Sequence, residues 1–492
     1  MKKVIIIGGG ISGLTAGIYA QQKGFETEIY EKNAMTGGEC TGWERRGYHI
    51  DNCLHWLTGC RPEDDLNRIW LNIGALSDST QLYHEPYFYK LEIHGKELHF
   101  WRDIDRARAE FLELAPEDSK EINRFFDHVK NAESVRVPCE KSLAEMNMFE
   151  FMRFGMTMAA AGKMMQEYGK ESIADLAARF TNPIVQAMIS QYFAGHYKAI
   201  TLLTSYAFYT GGTGALPMGG SVGMVKRIVD RYESLGGKIH TSMAAQRVNV
   251  EGKRAVSVTF ADGSTVPCDH VICATDTAVT FGKLLDEKYM DKKLRAMYSD
   301  RDGYPVTSGF HVSFGVIGAE DCGFSGSVIF PCKPVKIGTQ TKYYMGVRLY
   351  DYDDTLFPAD RRVIQCNTLQ NEEDHAYWQE LYSDSERYNA EKQRIADQTM
   401  ERVIAQYPQL EGRLVPLCTY SPITFTRWCG AFKGAYMSFF ERTGSKSLTA
   451  KNTIKGLRNV FICSQWVTTN GGLPTAAASG KFAADALASS AK

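Results

Sequence analysis

The 492-residue chain lacks most of the signals that place a protein in a special class. No run of about 18 apolar residues occurs, so no membrane-spanning helix is expected. Its 12 cysteines include no C-x-x-C and no Cys/His cluster at zinc spacing, and they read as reduced thiols rather than a disulfide framework or a metal site. Long basic runs are missing, and 56 Lys and Arg balance 57 Asp and Glu, which argues against a nucleic-acid partner. Nothing resembling a cleavable leader precedes the first apolar strand at Val4, giving a cytoplasmic expectation. Internal repeats, low-complexity tracts and flexible linkers are also lacking. What remains is an ordinary globular composition, 44% hydrophobic and 23% charged, long enough for about two to four domains.

The informative stretch is the first thirty-odd residues. Val4 to Ile7 read as a buried parallel strand, and Gly8, Gly10 and Gly13 follow in G-x-G-x-x-G spacing. A helix pattern continues through Ala20, Gly24 ends it, and Thr27 to Tyr30 form a second strand with Glu31 at its end. Each part has a physical use in binding a dinucleotide. Gly8 permits a tight turn, Gly10 lets backbone approach a pyrophosphate, and Gly13 lets the helix pack on the strand. The helix start offers free N–H groups and a positive dipole end. Glu31 is placed to accept hydrogen bonds from a ribose. The fingerprint alone does not choose between NAD and FAD. A Gly-rich loop follows, with Gly37-Gly38, Cys40 and Cys53; it reads as a run along the dinucleotide, and the two cysteines as small buried hydrophobes.

Further along, residues 83–103 suggest short strands about a His94-Gly95 turn, and residues 103–205 turn helical. The Met- and Ala-rich stretch from Phe151 to Met165 reads first as core packing, with a greasy ligand tunnel or a membrane-touching patch as the other readings. A helix should end at Gly236-Gly237, and residues 269–274 return as a buried strand. The nucleotide domain is therefore expected to be discontinuous. The overall expectation is an α/β protein. A Rossmann-like FAD-binding domain (1–80, 215–300 and 452–492) would carry an inserted α+β substrate domain (81–115 and 301–451) and a helical subdomain (116–214).

These pieces together resemble the FAD-dependent phytoene desaturases, carotenoid isomerases and retinol saturases, within the larger amine-oxidase-like group. The resemblance rests on the N-terminal fingerprint with Gly37-Gly38, on Pro217-Met218-Gly219-Gly220-Ser221, on Ala274-Thr275-Asp276, on Ser421-Pro422-Ile423-Thr424 and on the ending GGLPTAAASGKFAADAL. It implies FAD. Gly8, Gly10, Ile11, Ser12 and Gly13 would hold the pyrophosphate and Glu31 the ribose. Lys32, Gly38 and Glu39 would lie along the adenosine and ribityl parts. Val248 would offer its backbone to the adenine, and Ala274 and Gln465 would complete the contacts. Gly472, Leu473 and Pro474 would lie near the isoalloxazine. The chain departs from the family at Ser464-Gln465 and at Thr469-Asn470, where many members have Gly-Asp and Pro-Gly.

No catalytic acid or base is fixed by the sequence. His55, His196, Tyr209 and Asn470 are candidates, and Trp466 reads as a wall against the flavin. No second dinucleotide fingerprint is visible, because the glycines at Gly211 to Gly214 lack a preceding strand. Electrons would pass to or from the substrate, a quinone, oxygen or another docked carrier. The expected activity is desaturation, saturation or isomerisation of carbon–carbon bonds in a lipophilic, isoprenoid or polyene-like molecule, with peripheral membrane contact. Two alternatives stand beside it: an amine oxidase using an aromatic cage to which Trp466 and Tyr436 contribute, and a lipid-binding escort protein without flavin.

Overall fold

The computed structural model describes residues 1–490. Five parallel strands form its first sheet, in the spatial order Lys238–His240, Glu26–Tyr30, Lys3–Ile7, His270–Cys273 and Val460–Ile462. From Val4 to Ile7 the central strand is apolar because both faces are covered. Alternation along it divides the core. Val4 and Ile6 pack with residues of the helices Ile11–Gln22, Gly220–Ser234 and Leu473–Ser490. Ile5 and Ile7 face the other way and pack with Val258 and Phe260 of a three-stranded antiparallel sheet. A strand from residue 3 is thus flanked by strands from residues 270 and 26, and the sheet closes only when residue 460 arrives.

A second sheet has seven strands, in the order Leu414–Tyr420, Ser308–Val316, Val363–Gln370, Gln340–Tyr350, Ser327–Ile337, Tyr87–Ile93 and Lys96–Trp101. Its hairpin Tyr87–Trp101 turns at His94-Gly95, both at positive φ (51° and 72°), as a two-residue turn requires. One face buries Phe310, Val312 and Phe314 in a cluster with Trp378, Ile395 and Val403 of the helices Glu372–Leu381 and Ser385–Gln406. The second of these helices stops before Pro408, where an interior proline would break it. Helices from Ile104–Leu114 to Ile200–Thr210 form a separate layer around Phe100, Phe111, Phe126 and Tyr206.

The Met-rich stretch bears out the core-packing expectation only in its second half, where Ala161 and Met164 are fully buried in the helical layer. The helix Met148–Thr157 buries none of its residues. Met148 is 80% exposed, Phe149 75%, Met152 61% and Met156 68%. The helix is held by its ends, through an Asn147–Glu150 capping box, and not by an apolar seam. Composition alone does not tell a core stripe from an exposed apolar surface, because both use the same residues.

The terminal helix crosses the first helix at Gly480. A methyl there would lie 2.4 Å from the Ser12 carbonyl oxygen and 2.8 Å from Thr15 Cβ. In an exposed helix Gly→Ala gains about 1 kcal/mol. Here overpacking reverses the sign, and Gly480→Ala should cost about 1–3 kcal/mol, read as a lower urea midpoint with an unchanged m-value.

Candidate active site

The glycines of the first turn have distinct steric reasons. Gly8 has φ +108°, and a Cβ on it would meet the Ala274 carbonyl oxygen at 2.7 Å. A Cβ on Gly13 would sit 2.0 Å from the Gly8 carbonyl oxygen and 3.1 Å from Ala274 Cβ. Gly10 is different, because a Cβ there would meet nothing closer than Gly38 Cα at 3.9 Å. Open space beside Gly10 leaves room for a ligand against the backbone, while Gly13 serves helix-on-strand packing. The helix Ile11–Gln22 begins without any side-chain cap, so its first-turn amides are available to an anion.

The next loop lies against this turn. Gly37 N–H donates to the Gly9 carbonyl at 2.9 Å, and Trp428 Nε1–H donates to the Gly38 carbonyl at 3.0 Å. Glu31 ties the two segments together. Its carboxylate accepts from Gly9 N–H at 2.8 Å and from Asn33 N–H at 2.9 Å, leaving further lone pairs for a ligand. Lys32 donates to the Arg427 carbonyl at 2.8 Å. Glu39 lines the cavity, and burial pushes its carboxyl up to about 8. Gln465 donates to it at 3.2 Å and partly offsets that shift.

The C-terminal loop is built around Gln465. Its Oε1 accepts from Gly472 N–H at 2.8 Å, and Ser438 Oγ accepts from Gly471 N–H at 2.9 Å. Asn470 is held at φ +55°, and its N–H donates to the Phe439 carbonyl at 2.8 Å. Gly472, at φ +117°, takes a conformation that L side chains rarely adopt. The helix from Leu473 follows at once.

All of this opens on one cavity of about 1370 Å³. Gly8, Gly10, Ile11, Ser12, Glu31, Lys32, Gly38, Glu39, Ala274, Gln465, Gly472, Leu473 and Pro474 line it, together with His55, His196 and Asn470. Gly13 lies behind the lining, in the helix. Two further expected residues lie outside the lining. Val248 is buried in the strand Ala245–Glu251, paired with Val258, and does not line the cavity; Ala244 and Ala245, at the start of that strand, do. Tyr209 is also absent from the lining, its hydroxyl donating to buried Glu85 at 3.0 Å. Trp466 and Tyr436 line the cavity, Trp466 packing edge-on to Phe439 at 5.2 Å.

Residues not anticipated from the sequence come from the seven-stranded sheet. His311, Gln365, Asn367 and Arg348 line the cavity from its inner face. The only available signal was a polar residue at alternate positions inside otherwise buried strands. Gly214 to Pro217 form a strand antiparallel to Leu57–Thr58, which rules out a second phosphate turn at Gly211 to Gly214.

Comparison with known proteins accords with this geometry. The family model described as flavin-containing amine oxidoreductase matches residues 11–488. The chain belongs to that family. It is similar to a phytoene desaturase (lycopene-forming) of Paracoccus sp., at 25% identity over 58% of this chain and 56% of that protein. The match thus spans just over half of that relative's length. It is also similar to an inactive all-trans-retinol 13,14-reductase of Danio rerio, at 23% identity over 85% of this chain and 74% of that one. A crystal structure of an oxidoreductase from Methanosarcina mazei shares the fold, with a TM-score of 0.62 at 16% identity, covering 97% of this chain and 98% of that one. Family membership makes this chain a flavoprotein oxidoreductase with FAD as its cofactor, and the uncapped helix start beside open Gly10 fits a dinucleotide pyrophosphate.

Two predictions follow from this loop architecture. A Cβ on Gly471 would lie 2.7 Å from Ser438 Oγ and 2.9 Å from Gln465 Oε1, the two groups that hold the loop. Gly471→Ala should therefore displace them and weaken FAD retention by about tenfold, measured by flavin fluorescence on dilution. The second concerns Glu39, raised in the folded protein from the ordinary 4.5 to about 8. Between these values the folded apoprotein binds more protons than the unfolded chain. The contribution of Glu39 is then full below pH 4.5 and is lost as pH rises through about 8. Glu39→Gln should remove that downward slope from apoprotein stability, followed by urea denaturation across the pH range.

Proposed function

We propose that this flavoprotein desaturates, saturates or isomerises carbon–carbon bonds of a lipophilic, polyene or isoprenoid substrate. The cavity carries the reading. At about 1370 Å³ it exceeds the roughly 300–1000 Å³ of a single-ligand pocket, so it has room for a second molecule beside a dinucleotide. That second space is walled by Tyr192, Phe193, Phe208, Tyr344, Met437 and Phe440. The Paracoccus relative is named for phytoene, and the Danio rerio relative for retinol.

In this reading Gly8, Gly10, Ile11, Ser12 and Gly13 hold the pyrophosphate. Glu31 holds the ribose, Lys32, Gly38 and Glu39 flank the ribityl side, and Ala244 and Ala245 replace Val248 near the adenine. Ala274, Gln465, Gly472, Leu473 and Pro474 surround the ring system. Bound FAD would supply two-electron hydride chemistry. The chain's own part is orientation and exclusion of water. Burial, with Arg348 alongside, pushes the His55 imidazole down to about 3, so at neutral pH it is an uncharged hydrogen-bonding group and a poor base. Burial also lowers His196. Asn470 sits at the start of the helix from Leu473 and shapes the ring's surroundings by its backbone turn.

The exposed Met148–Met156 face belongs to the same reading. Met165, 42% exposed, also lines the cavity. No helix among the described residues is long and apolar enough to cross a membrane. We therefore place this face on the lipid surface, where a water-insoluble substrate is held.

Anaerobic mixing of the holoprotein with a polyene and, separately, with a primary amine should bleach or shift flavin absorbance with the polyene alone. A response only to the amine would reject the proposal. Flotation with anionic liposomes should carry the parent, and Phe149→Glu with Met152→Glu should leave it in the soluble fraction.

A further inference from the structure

The inner face of the seven-stranded sheet is polar where a channel for a pure hydrocarbon would be greasy. His311 and Asn367 are register partners on adjacent strands, and Arg348 and Gln365 are partners one strand further on. Asn367 Nδ2 donates to His55 Nε2 at 3.4 Å. The His311 ring stacks on Tyr420 at 4.5 Å with an 8° tilt, and Tyr420 in turn donates to Asn52 Oδ1 at 2.7 Å. The cluster is thus fixed in place. Yet three of its atoms are left over, Arg348 Nε among them. Asn367 Oδ1 and His311 Nδ1 are both buried without a hydrogen-bond partner. Leaving such groups unpaired costs about 1–3 kcal/mol each. Cross-strand partners stand about 5 Å apart at Cβ, so one small group can reach both.

We propose that Asn367 and His311 form a subsite for a hydroxyl group on the substrate, within the lipophilic-substrate reading given above. Asn367 Oδ1 only accepts, and His311 Nδ1 donates in one tautomer. A hydroxyl donates to the first and accepts from the second, so both are satisfied at once. A carbonyl can only accept, and would leave Asn367 Oδ1 unpaired. A carboxylate likewise can only accept, and would leave Asn367 Oδ1 unpaired; Arg348 is paired with Glu85 at 2.8 Å and donates to the His55 carbonyl at 3.1 Å, while its Nε has no partner and Lys342 lines the same face. Glu85 is taken up by Arg348 and is closed to an ammonium. Burial holds His55 near 3 and His311 near 4, so both rings are neutral at physiological pH and the subsite carries no net charge. Gly346, on the same face, has nothing closer than Ile329 Cγ1 at 4.0 Å, which leaves room for a chain running away from the cluster.

The test uses FAD-loaded protein and a matched polyene set: retinol, retinal, retinoic acid, retinylamine and the hydrocarbon in which the retinol CH₂OH is CH₃. Trp56, Trp428 and Trp466 line the cavity, so quenching of their fluorescence reads binding without turnover. Retinol should bind at least about tenfold tighter than the hydrocarbon, with retinal between them and the acid and amine weakest. Asn367→Leu and, separately, His311→Phe should bring alcohol and hydrocarbon within about twofold, each variant first checked for parental thermal unfolding; two variants guard against one failing to fold. Equal affinity for alcohol and hydrocarbon in the parent, tightest binding of the acid or amine, or a preference for the alcohol that survives in both variants would overturn the subsite and leave the polyene reading standing. Binding of none of the five would overturn both.

Discussion

The start of the first helix presses directly on the turn that precedes it. With the Gly8 carbonyl oxygen 2.0 Å from where a Gly13 side chain would begin, no other residue lets the helix sit there. That approach aims the helix start along the first strand's carboxyl end, where ligands bind in open parallel sheets. The terminal helix then lies across the same helix at Gly480, again with backbone almost in contact. Through these two close approaches, residues from opposite ends of the chain come to share one cavity wall. Bulk at either glycine would separate the wall's parts rather than simply loosen a core.

The cavity is divided by chemistry. One end is backbone-rich, with glycines at positive φ and an uncapped helix start, suited to a charged cofactor. Its middle is aromatic. The far wall is a sheet face that carries neutral polar groups beside Lys342 and the Arg348 guanidinium, the latter paired with Glu85. Burial works in the same direction on all of these groups, raising Glu39 and lowering His55 and His311. Neutral polar groups of this kind can sit beside a greasy molecule without stranding charges in it.

Legibility varied with the range of the interaction. The first strand, the helix to Gln22, the second strand, the His94-Gly95 turn and the stop before Pro408 are all local: sterics at glycine or proline and short-range periodicity decide them. The strand Ala245–Glu251 was readable as a strand, but which of its residues meets the cavity was not, since that depends on where it crosses the first sheet's edge. The Met-rich stretch fell within a region readable as helical. Its exposure was not readable, because nothing local says which neighbour is missing.

By itself the sequence determined the phosphate turn, because three glycines, a strand and a helix within thirty residues leave few ways to fold, and it determined that the nucleotide sheet had to be completed from far along the chain. Only the tertiary structure decided the composition of the substrate wall. His55, His311, Arg348 and Asn367 come from segments up to 312 residues apart, and each alone reads as an ordinary polar residue in a strand or loop. Their meeting is fixed by the register of Ser308–Val316 against Val363–Gln370, strands that are neighbours in the sheet but not consecutive in the chain, a long-range pairing that leaves no mark on the residues nearby.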